Sequence, residues 1–127
     1  MAFAHVSIRT GDMEHSIGFY ERYFGMKLSS RREISQNKAE IAFLEGGSPG
    51  LALELTRYKA QAKFEQAPYE SRVFDHLAFT VPDCEKLVKE MKAGGVVVTD
   101  EPFMLGKSRI AFVEDPYGTL IEVIERK

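Results

Sequence analysis

The sequence predicts an α+β fold made of two βαβββ repeats that form curved mixed sheets. The same order of strand, capped helix and three further strands occurs twice along the chain. HVSIRTGD at 5–12 matches HLAFTVPD at 76–83, and the spacing between matched residues then shortens by about one residue per loop, as duplication with small loop deletions would produce. We therefore expect a single domain, with repeat one at 1–57, a connecting loop at 58–72 and repeat two at 73–127.

Repeat one begins with an alternating apolar and polar segment that is typical of a half-buried strand. Strands are predicted at 3–9, 26–33, 39–45 and 51–57. Asp12 is predicted to cap a helix over 13–24, and Gly25 to end it. A turn rich in glycine and proline, at 46–50, joins the last two strands.

Repeat two has the same order of strands, helix-capping aspartate and helix-ending glycines. Strands are predicted at 74–81, 96–99, 108–114 and 119–125. Asp83 is predicted to cap a helix that runs to about Ala93, where Gly94 and Gly95 end it. The connecting loop between the repeats is polar and lacks a clear period, so we expect at most a helical turn there.

Composition excludes several classes of function. Hydrophobic residues make up 44% of the chain, charged residues 28%, and the net charge is −2. There is no basic excess to attract nucleic acid, no apolar run long enough to span a membrane, and no signal-peptide pattern. The single cysteine, Cys84, cannot form an intrachain disulfide and suits a reducing compartment. We expect a cytoplasmic protein that binds neither nucleic acid nor membranes.

Two histidines and two glutamates occupy equivalent positions in the repeats. His5 and His76 lie in the first strand of each repeat, and Glu54 and Glu122 in the last. A lone strand histidine or glutamate is usually structural or solvated, but two matched pairs favour a metal site. Two imidazoles and two carboxylates suit a divalent first-row ion, with zinc, nickel, cobalt, iron and manganese all compatible.

Strand alternation predicts which way these side chains point. His5 and Glu54 oppose the apolar residues of their strands and should share one face with His76. Glu122 is predicted to be the exception, because Leu120 and Ile124 flank it on its own face. A carboxylate on an apolar face needs a partner, since burying a lone charge is costly.

Long segments of the chain resemble the vicinal-oxygen-chelate superfamily and, within it, the glyoxalase I (lactoylglutathione lyase) branch. The segments are HVSIRTGDMEHSIGFYERYFGMKL, LALELT, DHLAFTVPD and IAFVEDPYGTLIEVIE. The resemblance implies the glyoxalase/bleomycin resistance/dioxygenase fold, paired in a homodimer. In the small bacterial members, His5 and Glu54 would come from one subunit and His76 and Glu122 from the other. The compact length implies the nickel- or cobalt-activated class, with zinc as the alternative ion.

The same resemblance implies a binding site for a thiol conjugate. Arg9 matches the arginine that meets a glutathione carboxylate, and Lys107 falls in the loop that covers the thiol tail. Tyr58 stands where the family usually places an asparagine that contacts glutathione, so the chain departs from the family at this position.

The implied reaction converts the hemithioacetal of methylglyoxal and a thiol, expected to be glutathione, into a 2-hydroxyacyl thioester. A proton moves between adjacent carbons while a metal acts as Lewis acid. Glu122 is predicted to be the base because of its apolar neighbours, with Glu54 mainly a ligand, although the repeat symmetry lets either serve. The alternatives are a dioxygenase, thiol transferase or epimerase of the same superfamily, and a non-catalytic binding protein of the bleomycin-resistance kind.

Overall fold

The computed structural model of the protein describes residues 1–47 and 50–126, and it shows two compact units. The first unit is Met1–Phe64 and the second is Glu65–Lys127, so the division falls inside the loop predicted between the repeats. Each unit has the element order βαβββ, as the repeat predicts. That the units together make a single domain stays a prediction.

The first unit is a four-stranded mixed sheet with one helix. Its elements are β1 (His5–Arg9), α1 (Met13–Phe24), β2 (Lys27–Ile34), β3 (Ala39–Glu45) and β4 (Ala52–Tyr58). The strand order is β1-β4-β3-β2, with β1 parallel to β4 and the other neighbours antiparallel. A short 3₁₀ helix, Ser35–Asn37, links β2 to β3. Ser48 and Pro49, in the predicted turn at 46–50, lie outside the described residues.

The second unit repeats this topology. Its elements are β5 (Leu77–Thr80), α2 (Cys84–Ala93), β6 (Val98–Leu105), β7 (Ser108–Glu114) and β8 (Leu120–Arg126). The strand order is β5-β8-β7-β6, with β5 parallel to β8. The helical turn expected in the connecting loop is a 3₁₀ helix, Tyr69–Ser71. The last residue of predicted repeat two, at position 127, lies outside the described residues.

Both helices begin and end where their capping residues predict. Asp12 accepts a hydrogen bond from the backbone N–H of His15 at 3.0 Å, and Asp83 accepts one from Lys86 at 3.0 Å. These bonds satisfy N–H groups that the first helical turn leaves without a partner. Gly25 ends α1 in the left-handed region, with φ of 63°. Among the described residues, neither helix is long and apolar enough to cross a membrane.

Strand β6 differs most from its prediction. The sequence predicts a strand at 96–99, whereas β6 spans Val98–Leu105 and its register with β7 shifts twice. The polar stretch and Pro102 within it resemble a loop, but pairing with β7 overrides that local preference. A proline is tolerated because β6 lies at the edge of its sheet, where one side of the strand makes no ladder bonds.

Each helix packs against the sheet of its own unit. In the first unit, Met13 and Tyr20 of α1 are buried together with Leu55 of β4. In the second, Met91 of α2 is buried together with Val123 of β8. The face of each sheet that contacts the helix therefore forms the core. The opposite face points away from the helix.

Replacing Leu55 with alanine should show how much this core contributes. Leu55 is 0% exposed, so Leu55→Ala is expected to lower the free energy of unfolding by about 2–5 kcal/mol through lost burial and a residual cavity. Leu105, which is 61% exposed, provides the matched control, with a change within about 0.5 kcal/mol. Urea unfolding measures both. Equal losses for the two variants would contradict this description of the core.

Candidate metal centre

The first unit brings His5 and Glu54 together. Strands β1 and β4 run parallel with Ser7 beside Glu54, which places the side chain of His5 next to the carboxylate. His5 Nε2 lies 3.8 Å from Glu54 Oε1. The His5 side chain is 40% exposed and that of Glu54 is 15% exposed, so the pair is reachable from solvent without being fully hydrated.

The second unit brings His76 and Glu122 together in the same way. His76 directly precedes β5, and Ala78 pairs with Glu122 as Ser7 pairs with Glu54. His76 Nε2 lies 3.2 Å from Glu122 Oε1, with side chains 30% and 17% exposed. The two units thus present equivalent histidine–glutamate pairs.

A phenylalanine packs against each histidine. The ring of Phe43 meets His5 edge-on at 5.1 Å between centroids, and Phe112 meets His76 at 5.5 Å. Both phenylalanines also lie opposite the glutamate of their pair in the strand register. These rings restrict how the imidazoles can rotate. Sequence analysis assigns no role to either phenylalanine.

Leu120 and Ile124 flank Glu122 on its own face of β8, as predicted, but that face is not the core face, so the predicted exceptional orientation of Glu122 is wrong. In β8, Ile121 and Val123 are 0% exposed and form the core side, so Glu122 shares the opposite face with His76. Glu122 is therefore oriented like Glu54. Alternation alone could not decide this, because β8 carries apolar residues on both faces and only packing against α2 shows which face is buried.

The carboxylate on the core side of β8 is Glu125, which is 9% exposed. Its Oε1 accepts a hydrogen bond from the backbone N–H of Cys84 at 3.0 Å, at the start of α2. Burial and the charge of Glu125 both raise the pKa of the Cys84 thiol, with burial the larger effect. Cys84 is thus an inert core residue.

Asp75 supports the histidine of the second pair. Its Oδ1 lies 2.5 Å from His76 Nδ1, and this contact leaves Nε2 facing Glu122. A carboxylate on the far nitrogen is the usual way to orient a metal-binding imidazole. Sequence analysis does not single out Asp75, although its place next to His76 was a usable signal. In the first unit the equivalent position is Ala4.

Two hydroxyl groups support the glutamate of the first pair. Thr56 Oγ1 donates to Glu54 Oε1 at 3.3 Å and lies 2.8 Å from Ser7 Oγ. Neither hydroxyl emerges from sequence analysis, because a strand serine or threonine has no distinctive pattern.

Two of the three residues predicted to bind substrate lie in contact. The Arg9 guanidinium carbon is 4.2 Å from the centre of the Tyr58 ring, and Arg9 Nη1 donates to Gln61 Oε1 at 3.0 Å. This arrangement holds a cationic group at the end of β1. Lys107 is exposed in the turn between β6 and β7 of the second unit.

Each pair offers donors that suit a first-row divalent ion, namely an imidazole nitrogen facing a carboxylate oxygen. Within the described part of each unit, no group of three or more histidine, cysteine, aspartate and glutamate side chains could hold a metal ion. One pair alone supplies fewer protein ligands than a zinc-type site normally has. Each pair therefore fits a divalent metal as a partial set of donors.

The chain belongs to the Glyoxalase/Bleomycin resistance protein/Dioxygenase superfamily, whose family model matches residues 2–123. The superfamily and the two-repeat α+β fold predicted from sequence are thereby confirmed. Glyoxalase I is one of the metal-dependent members of this superfamily. A divalent metal is therefore the expected cofactor.

The relatives are lactoylglutathione lyases. A probable lactoylglutathione lyase of Vibrio cholerae is 37% identical, covering 97% of this chain and 89% of its own. A lactoylglutathione lyase of Arabidopsis thaliana is 38% identical, but this chain covers 44% of its length. The trypanothione-dependent glyoxalase I of Leishmania major superposes with a TM-score of 0.84 at 30% identity, over 98% of this chain and 86% of that one. These relatives confirm the predicted glyoxalase I branch.

Proposed function

We propose that the protein isomerises the hemithioacetal of methylglyoxal and glutathione to the 2-hydroxyacyl thioester. The observation that carries this proposal is the pair of equivalent histidine–glutamate contacts, His5–Glu54 and His76–Glu122, at 3.8 and 3.2 Å. The similarity to lactoylglutathione lyases over nearly the whole chain supports the same reaction. Unlike a binding protein without metal ligands, the chain retains both pairs.

The proposed cofactor is one divalent ion held by His5, Glu54, His76 and Glu122, with nickel the physiological ion and cobalt or zinc able to replace it. Mixed nitrogen and oxygen donors suit all three. When bound, such an ion supplies Lewis-acid stabilisation of the negative charge that develops on two neighbouring substrate oxygens.

The proton transfer is assigned to Glu122. Its carboxylate removes the proton from the carbon that bears sulfur and returns it to the adjacent carbonyl carbon, while the hydroxyl proton passes from the oxygen of the first carbon to the oxygen of the second, so that the product is an isomer of the substrate. Glu122 lies between Leu120 and Ile124 on its face of β8, both of them half-buried, and these apolar neighbours reduce the hydration of its carboxylate. Glu54 serves mainly as a ligand.

The proposed assembly is a cytoplasmic homodimer in which His5 and Glu54 of one subunit complete the site with His76 and Glu122 of the other. Each unit by itself brings together one histidine and one glutamate, which supports this division of the site. Two copies of the chain related by a two-fold axis would then form two complete and identical sites.

The proposed thiol-binding residues are Arg9, Tyr58 and Lys107. Arg9 presents a guanidinium already held by Tyr58 and Gln61, and such a group binds a carboxylate of the thiol conjugate with little loss of freedom. Lys107 adds a second cation in an exposed turn.

The experiment that tests the function measures thioester formation from the methylglyoxal–glutathione hemithioacetal. The purified protein is stripped of metal and assayed alone and after addition of nickel, cobalt or zinc. Activity that depends on added metal, and is highest with nickel, is the expected result. Stoichiometric metal binding without activity under any condition would overturn the proposed reaction.

Replacing Asp75 should weaken metal binding. Loss of the carboxylate on His76 Nδ1 frees the ring to rotate, and the loss of such outer partners costs about 10- to 100-fold in metal affinity. Asp75→Ala is therefore expected to bind nickel that much more weakly in competition with a chromophoric chelator. Glu70→Ala, which removes an exposed acid of the same unit, is the control. Unchanged affinity in Asp75→Ala would contradict a supporting role.

A further inference from the structure

The two glutamates occupy the same register but have different polar neighbours. Ser7 pairs with Glu54 across β1 and β4, and Ala78 pairs with Glu122 across β5 and β8. Two residues after the glutamate, on the same face of the strand, the first unit has Thr56 where the second has Ile124. A hydroxyl pair therefore flanks one glutamate and two hydrocarbon side chains flank the other.

The number of hydroxyl protons determines which of Ser7 and Thr56 donates the hydrogen bond between them. A threonine hydroxyl has a single proton, and that of Thr56 is donated to Glu54 Oε1 at 3.3 Å. Thr56 can then only accept in its 2.8 Å contact with Ser7, so Ser7 is the donor. The result is a chain from Ser7 to Thr56 to Glu54. Thr56 is 7% exposed, which protects its hydrogen bond to Glu54 from competing water, whereas Ser7 is exposed.

The equivalent chain cannot form in the second unit. Ala78 and Ile124 have no hydroxyl to donate, and Ile124 carries its ethyl branch where threonine carries its oxygen. The contact shown for Glu122 is with His76 Nε2. The asymmetry lies in side chains outside the proposed set of metal ligands and thiol-binding residues.

We propose that the Ser7–Thr56 hydroxyl pair assigns different tasks to the two glutamates, holding Glu54 in a fixed orientation as a ligand and leaving Glu122 to transfer the proton. Ser7 and Thr56 are positioning residues. A carboxylate oxygen that accepts a hydrogen bond must break it in order to swing toward a substrate carbon. Glu122 has no such bond to break with the residues at the equivalent positions. This inference rests on the proposed isomerase function.

The test compares Thr56→Val with Thr56→Ser, since valine keeps the shape of threonine without the hydroxyl and serine keeps the hydroxyl. The first measurement is cobalt affinity, followed by visible absorption. Thr56→Val is expected to bind cobalt about 10- to 100-fold more weakly, because its Glu54 ligand is no longer held. Thr56→Ser is expected to restore binding to within about threefold of the unsubstituted protein, as the loss of one methyl group leaves the hydrogen bond in place.

The second measurement is residual kcat in the background of Glu122→Gln. Releasing Glu54 by Thr56→Val should let it act as a substitute base and raise this residual kcat about tenfold, the factor expected from a hydrogen bond to a charged group. Thr56→Ser should not raise it. The reciprocal change, Ala78→Ser with Ile124→Thr, places hydroxyls beside Glu122 and is expected to lower kcat about tenfold with KM unchanged.

The two measurements separate the possible failures. Equal cobalt affinity in Thr56→Val and the unsubstituted protein, with both folded by circular dichroism, would overturn the positioning role whether or not the protein is an isomerase. A protein inactive on the hemithioacetal but weakened in cobalt binding by Thr56→Val, and not by Thr56→Ser, would support the positioning of Glu54 and overturn the proposed reaction instead. Unchanged residual kcat in an active enzyme would overturn the division of tasks.

Discussion

Glu122→Gln is expected to lower kcat for hemithioacetal isomerisation by about 10²- to 10⁴-fold, the usual contribution of a positioned general base. Glutamine has the shape of glutamate and a carbonyl oxygen that can still act as a ligand, but it cannot accept the transferred proton. The loss should therefore appear in kcat at saturating metal, measured by following thioester absorbance. Metal content, determined on the same samples, is expected to stay close to that of the unsubstituted protein.

Glu54→Gln is the matched control, since Glu54 has the same register position and nearly the same exposure in the first unit. It is expected to reduce metal affinity and to lower kcat less than Glu122→Gln once metal is saturating. A larger kcat loss for Glu54→Gln would reverse the assignment of the base. Equal losses would mean that the two carboxylates share the proton transfer.

Complementary histidine variants are expected to restore activity when combined in one dimer. In the proposed dimer, His5→Ala or His76→Ala alone would remove a ligand from every site and should reduce activity by at least about 10²-fold, more than the loss of an outer partner would. A hybrid dimer with one copy of each variant has one site that lacks both histidines and one that is intact. The purified hybrid, isolated by two different affinity tags, should show about half the activity of the unsubstituted dimer.

The control is a hybrid of His5→Ala with Glu54→Ala, whose changes fall in the same half-site. Each of its sites then lacks one ligand, so no activity should return. Recovery in the first hybrid and not in the second would establish that a site draws its halves from two subunits. An inactive first hybrid would place all four ligands of a working site in one chain.

The elements whose ends are marked by local chemistry were predictable from the sequence. The helices α1 and α2 begin after Asp12 and Asp83 because a side-chain oxygen satisfies a free backbone N–H, and this needs only a few neighbouring residues. The extent of β6 was not predictable, because its polar residues and Pro102 are strand only through pairing with β7. Long-range pairing can override local preference in this way.

The site shows the same division. The histidines and glutamates emerge from internal repetition, which requires no knowledge of distances. The orientation of Glu122 could not be predicted from the repeat, because both faces of β8 carry apolar residues. Packing against α2 determines which face is buried. The contacts of Asp75 and Thr56 depend on side-chain rotamers, which leave no trace in the order of residues.

The irregular register of β6 also bears on solubility. Phe103 and Leu105 are exposed on this edge strand, at 43% and 61%, and an exposed apolar edge invites strands of other molecules to pair with it. The two register shifts and Pro102 interrupt the regular spacing of backbone donors and acceptors that such pairing needs. The edge is thereby a poor template for aggregation, and straightening β6 or replacing its proline would make the protein more prone to form intermolecular sheets.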